Sequence, residues 1–156
     1  AGCMMELIDK VLGKIPLFGI CLGFQALLDH HGGTVEPCGP VHGKSVRMTL
    51  TKAGAKHPIF TGLAVDSEPD NPDYVGTQVP VARYHSLGCK QIPTKMRALA
   101  TTETAIGDVV MAAETEDQMA FGVQFHPESV LSPTGPIMLE SCIEYLSAKY
   151  LFGKAN

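Results

Sequence analysis

Apolar and polar positions recur with two different periods along this chain, and the points where the period changes mark its elements. Residues 4–12 carry Met4, Leu7, Ile8 and Val11 at helical spacing and stop at Gly13, the residue type that closes helix C-termini. Residues 15–20 are a nearly continuous apolar run, which predicts a strand covered on both faces, as in a parallel sheet. Residues 23–31 predict a short helix ended by Gly32 and Gly33. Strand signals dominate the middle: residues 46–50 alternate apolar with polar, and 79–84, 96–100 and 109–113 are further strands. Residues 119–125 predict another strand that runs directly into His126-Pro127-Glu128. The last element, residues 136–151, is an amphipathic helix with Pro136 near its start and Gly153 beyond its end. Between Leu63 and Gln78, a stretch rich in Pro, Asp and Gly has little periodicity and reads as a surface loop.

Composition narrows the class. The chain has 156 residues, room for one core and too few for two comfortable domains. Its formal net charge of -4 and scattered Lys and Arg give no basic stripe, so nothing marks a nucleic-acid footprint. No apolar run approaches the roughly 18 residues that cross a bilayer, and the first residues lack the charged-then-apolar order of a signal peptide. The five cysteines, Cys3, Cys21, Cys38, Cys89 and Cys142, are odd in number and widely spaced. That is poor material for a disulfide framework, and no CxxC or His/Cys cluster points to zinc. Reduced thiols in a cytoplasmic protein are expected, four of them packing or surface residues.

The fifth sits in Gly19-Ile20-Cys21-Leu22-Gly23, between two glycines where a buried strand becomes a helix. This is a cysteine form of the nucleophile elbow. So sharp a turn strains its own backbone, and the neighbours two positions away on either side are expected to be small. The helix start is expected to favour thiolate, and the backbone N–H of Leu22 to face a developing oxyanion. A buried packing cysteine is the plainer alternative. About a hundred residues later comes Gly122-Val123-Gln124-Phe125-His126-Pro127-Glu128-Ser129. A thiol nucleophile needs a base, usually His, oriented through its other ring nitrogen by an acceptor. His126 and Glu128, two apart just past a strand end, point the same way toward a sheet's carboxyl edge, where open α/β sheets bind ligands. Alone, an HxE pair is more often an ordinary surface His beside a solvated carboxylate.

Joined, the residues from Gly19 to Gln25 and the segment from Phe125 to Ser129 resemble the class I (triad) glutamine amidotransferase family. Val41-His42-Gly43-Lys44 and the segment from Val81 to Leu87 are similar to component II of anthranilate synthase and to the glutaminase subunit of aminodeoxychorismate synthase. The resemblance runs from the N-terminus to about Leu146. It implies an α/β fold with an open, mostly parallel sheet flanked by helices, the flavodoxin-like class I glutaminase fold, in a single domain over residues 1–156. It implies Cys21 as nucleophile, His126 as base and acid, and Glu128 as the residue that holds the imidazole. Gln25 would contact L-glutamine, Ser86 and Leu87 would grip its amino-acid end, and His42, Gly43 and Lys44 would lie near a synthase partner. No metal or cofactor is implied. The expected partner is a chorismate-using synthase subunit of the component I type, in the tryptophan or the folate pathway.

Two departures follow from the same resemblance. Phe24 stands where the family often has His, with little catalytic consequence expected. Family members begin with strands and a Gly/Pro-rich loop ahead of the position of Ala1, so the fold is expected to lack its N-terminal strands. With one oxyanion donor absent, a loss on the order of 10²–10³ in turnover is the expected scale, giving poor activity and marginal folding alone. Competing readings are a γ-glutamyl hydrolase, a triad amidotransferase serving GMP synthesis, and an inert scaffold that binds the synthase.

Overall fold

A computed structural model gives the fold and describes residues 2–39, 43–68, 70–71, 76–129 and 134–153. Helix α1 (Gly2–Val11) leads through Gly13, whose φ of 76° is the left-handed turn expected there, into β1 (Leu17–Ile20). Helix α2 (Leu22–His30) follows at once and ends at Gly32, with φ 86°. Next come β2 (Val35–Pro37), β3 (Lys44–Leu50), the short α3 (Lys52–Ala55) and a 3₁₀ turn at Pro58–Phe60. Strands β4 (Gln78–Arg83), β5 (Leu87–Cys89), β6 (Met96–Thr104), β7 (Gly107–Thr115) and β8 (Ala120–Val123) complete the sheets, and α4 (Gly135–Gly153) closes the chain. The short β2 and β5 pair antiparallel; sequence periodicity gives neither, since three residues are too few to alternate.

The main sheet has the order β1-β8-β7-β6-β3-β4. The α/β class holds, with a mixed sheet: β1 and β8 are parallel, while β8–β7, β7–β6, β6–β3 and β3–β4 are antiparallel. A tight hairpin between β6 and β7 needs no crossover, so the chain reverses without a covering helix. Along β8 the pleat sends Phe121 and Val123 into a core with Met138 and Cys142 of α4, and Ala120 into a second core with Ile8 of α1 and Leu27 of α2. Helices therefore cover both faces. All four residues of β1 are half-buried, because it is the last strand of the order and pairs only with β8 among the described residues. The buried stripe of α4 runs through Met138, Cys142 and Tyr145, and Ile137, Ile143 and Leu151 lie exposed off it. No described helix is long and apolar enough to cross a membrane.

Candidate active site

The site begins with two glycines. In the parallel pairing Gly19 lies beside Gly122, and both face α2. A Cβ on Gly122 would come within 2.4 Å of the Phe24 ring, and one on Gly19 within 2.8 Å of the Gly23 carbonyl carbon. Bare backbone at both places lets the first turn of α2 lie against the sheet with Phe24 fully buried. The explanation does not extend to Gly23, where an added Cβ would meet nothing within 4 Å. Smallness is required on the strand side of the elbow only, because Gly23 is the surface that Gly19 would strike.

Between these glycines Cys21 adopts φ 52° and ψ -99°, a conformation that costs a non-glycine residue on the order of 1–3 kcal/mol. Its N–H continues the β1–β8 ladder by donating to the Val123 carbonyl at 2.9 Å. The parallel pairing thus brings the turn after β1 and the loop after β8 to one carboxyl edge, with Cys21 on the first and His126 on the second. Burial pushes the Cys21 thiol up. The N–H of Leu22 and the Gln124 side chain pull it back, the Glu128 charge pushes it up again, and the net displacement is upward. This corrects the expected thiolate: a single free helix amide does not offset the desolvation. That Leu22 N–H is directed at the sulfur itself.

On the second loop, His126 Nδ1 meets Glu128 Oε1 at 2.6 Å. The His126 N–H donates to the Ala82 carbonyl at 3.3 Å, tying the loop to β4. The ring stands edge-on to Tyr84, with centroids 5.5 Å apart at 89°, and the Tyr84 hydroxyl pairs with Ser129 Oγ at 3.2 Å. Tyr84, His126, Glu128 and Ser129 line a cavity of about 290 Å³. In the sequence Tyr84 is marked only by its aromatic character beside a strand end.

Gln25 is buried on α2, its Nε2 donating to the Leu87 carbonyl at 3.4 Å and to Gln124 Oε1 at 3.2 Å. Gln25 and Leu22 also line a second cavity of about 370 Å³ with Met4, Met5 and Ala26. Ser86 and Leu87 are exposed at the start of β5, and the Ser86 carbonyl accepts from the Cys38 N–H at 2.8 Å. A roomier cavity of about 480 Å³, lined by His31, Glu36 and Lys90 among others, includes none of these residues. Of the partner segment, His42 lies outside the described residues. Lys44 is exposed on β3, and Gly43 has φ 62°, where a Cβ would come 2.9 Å from the Tyr84 ring. Among the described residues no three His, Cys, Asp or Glu gather as metal ligands. All five cysteines are free.

Comparison with known proteins adds to this geometry. The model of the family described as glutamine amidotransferase class-I matches residues 1–145. An anthranilate synthase component 2 of Corynebacterium glutamicum is 60% identical over 148 residues, covering 95% of this chain and 71% of that protein. One of Buchnera aphidicola is 38% identical, covering 96% of this chain and 67% of that protein. A pyocyanine-specific anthranilate synthase component 2 of Pseudomonas aeruginosa is 36% identical, covering 95% and 64%. Among solved structures, a Thermoplasma acidophilum protein superposes with TM-score 0.75 at 21% identity, covering 98% of this chain and 67% of that one. A glutamine amidotransferase of Thermotoga maritima superposes with TM-score 0.61 at 22% identity, covering 99% and 57%. At those identities the structures speak to the fold alone.

Proposed function

Because this chain belongs to the class I glutamine amidotransferase family, we propose that it releases ammonia from L-glutamine through Cys21, His126 and Glu128 and feeds a chorismate-using synthase. The observation that carries this is the shared edge: a cysteine on a strained turn after β1, and an imidazole held by a carboxylate on the loop after the paired β8.

In this reading Cys21 Sγ, its proton taken by His126, attacks the side-chain amide carbon of glutamine. The new C–S bond gives a tetrahedral oxyanion, which the Leu22 N–H would meet by turning from the sulfur. His126 returns the proton to the amide nitrogen, the C–N bond breaks, and ammonia leaves a γ-glutamyl thioester. Water, deprotonated by His126, opens the thioester to glutamate and restores the thiol. Glu128 on Nδ1 holds the ring so that Nε2 carries the proton traffic, and it steadies the imidazolium formed in each half-reaction. The raised thiol fits this scheme, since a thiol kept neutral needs a base beside it. Gln25, Ser86 and Leu87 are the proposed glutamine contacts, and His42, Gly43 and Lys44 the proposed partner contacts. Ammonia is largely protonated near neutrality and then no longer nucleophilic, so direct delivery to a partner is chemically sensible. The relatives' names favour a component I of anthranilate synthase over an aminodeoxychorismate synthase.

The test is ammonia release from glutamine with the synthase subunit present and absent, for the chain and for Cys21→Ala. A glutamine-mimicking electrophile should label Cys21 alone. An unlabelled Cys21 together with no glutamine-dependent ammonia would overturn the reading in favour of an inert scaffold.

A further inference from the structure

The mechanism above leaves one buried polar side chain at the site without a task. Gln124, the residue after β8, is 1% exposed. Its N–H donates to the Met111 carbonyl at 2.8 Å, which fixes the residue against β7. A buried amide left without partners costs on the order of 1–3 kcal/mol, so what its side chain bonds to has consequences. Oε1 accepts from Gln25 Nε2 at 3.2 Å, and Nε2 donates to Cys21 Sγ at 3.7 Å.

The direction of these bonds is set from a distance. A carbonyl oxygen only accepts, so the Leu87 carbonyl obliges Gln25 to turn its Nε2 inward. Gln124 must then offer its oxygen to Gln25, which leaves its nitrogen for the sulfur. The same Leu87 carbonyl accepts from His85 Nδ1 at 2.8 Å, and His85 Nε2 accepts from Arg83 Nε at 2.9 Å. A guanidinium keeps its protons, so Arg83 selects the His85 tautomer. Arg83, His85, Gln25 and Gln124 are all buried, and two donor runs converge on the Leu87 carbonyl, one from Arg83 through His85 and one from Gln25, the second fixing the bonds as far as the Cys21 sulfur.

We propose that Gln124 is a positioning residue for the nucleophile: its amide N–H donates to the Cys21 sulfur while its oxygen holds the side chain of Gln25. The proposal rests on the thiol chemistry assigned to Cys21 above. A donor on sulfur favours thiolate over thiol. Burial and the Glu128 charge, arriving from the His126 loop, oppose ionisation, and the Leu22 N–H and Gln124 favour it. When Leu22 turns to the oxyanion, Gln124 is the donor that stays.

Two substitutions in the full chain separate this role from mere packing. Gln124→Met keeps the length and drops the donor; Gln124→Glu keeps the acceptor and puts a carboxylate against the sulfur. The readout is iodoacetamide alkylation of Cys21 against pH, followed at peptide level, with exposed Cys3 as internal control. The Cys21 profile should move to higher pH, slowing alkylation at pH 7 about three- to tenfold in Gln124→Met and further in Gln124→Glu, with Cys3 unchanged. A folded Gln124→Met whose Cys21 profile overlays that of the unsubstituted chain would overturn the proposal. Should neither variant fold, NMR of the unsubstituted chain decides: the Gln124 side-chain amide should shift as Cys21 titrates and again on its alkylation, and an amide indifferent to both overturns the assignment. A displaced alkylation profile in a chain that never hydrolyses glutamine would sink the proposed function and leave the role of Gln124 standing.

Discussion

Two histidine–glutamate pairs occur among the described residues, and their surroundings differ sharply. His57 Nε2 donates to Glu114 Oε2 at 2.9 Å, and His126 Nδ1 meets Glu128 Oε1 at 2.6 Å. The first pair is sealed, with side chains 5% and 1% exposed; the second is open at 31% and 55%. Every polar position around the first is spent inward. His57 Nδ1 accepts from the Ile59 N–H at 3.3 Å, and Glu114 also receives Arg97 at 3.0 Å and the Tyr145 hydroxyl at 3.2 Å. The His57 ring is stacked on Phe121 and tilted against Tyr145 and Phe60. An imidazole enclosed this way has no route for a proton to or from a substrate. It ties α4 and the 3₁₀ turn to the sheet. The His126 ring lines a cavity and is partly exposed to solvent, so the proposed proton transfers have access to it. Distance within a pair therefore says little about its role, and enclosure says a great deal.

The comparison breaks most sharply under matched substitutions. His126→Asn should lower glutamine turnover on the order of 10³-fold or more while leaving unfolding free energy within about 0.5 kcal/mol. His57→Asn should do the reverse. It strips a buried carboxylate of a partner, costing about 3 kcal/mol in denaturant unfolding, with turnover little changed in whatever fraction folds. A His57 variant that stayed stable and lost ammonia release would erase the distinction.

Acid sharpens it further, through groups that the fold keeps dry. His85 is buried, and burial holds it down to about 4, with Arg83 and His126 adding to that and the Leu87 carbonyl opposing. A depressed histidine costs the folded state nothing above its ordinary value near 6.5. Between about 6.5 and 4 the unfolded chain takes up a proton that the folded one refuses, so stability falls as pH falls. Glu114 adds a second loss at lower pH. Burial pushes its carboxyl up, yet the hydrogen bonds from His57 and Tyr145 and the Arg97 charge outweigh that and hold it below its usual range. Its stabilisation is complete above the unfolded carboxylate value near 4.3 and disappears as pH drops through the folded one. Urea midpoints from pH 7 to 3 should show a decline on the order of 2 kcal/mol before pH 4. His85→Gln should flatten this upper part, and Glu114→Gln only the part below it. Stability unchanged from pH 7 to 4 would contradict the His85 burial described above.

How much of this a reader of the sequence can see depends on how far apart the partners lie. Gly19, Cys21 and Gly23 fall within five residues, so the elbow is legible before any coordinates, as is the His126–Glu128 alternation past a strand end. The strands at β3, β4, β6, β7 and β8 are legible because each is a short local run, and β3 alternates apolar with polar positions. The His57–Glu114 pair is 57 residues apart and Gln25–Gln124 is 99, and no local pattern links them. Strand order is equally hidden from the apolar run of β1 taken alone, which lies half-buried at the end of the sheet. The direction of the Cys21 thiol is hidden for the same reason: the helix amide is visible in the sequence, and the desolvation that outweighs it is not.

Tyr84 offers the finest test, because it touches the open pair without belonging to it. Its ring edge supports the His126 imidazole, and its hydroxyl reaches Ser129 on the same loop. Tyr84→Phe keeps the ring and removes only a hydrogen bond between exposed side chains, so stability should change by less than about 0.5 kcal/mol and turnover by about twofold. Tyr84→Ala removes the edge-on contact as well, and turnover should fall about tenfold with a smaller change in stability than His57→Asn produces. Equal losses in the two variants would move the supporting role from the ring to the hydroxyl. Ser129→Ala would then have to reproduce the loss. If it did, the His126 loop would be held by its own serine, and support of the imidazole by the Tyr84 ring would drop out of the account of what positions this open pair.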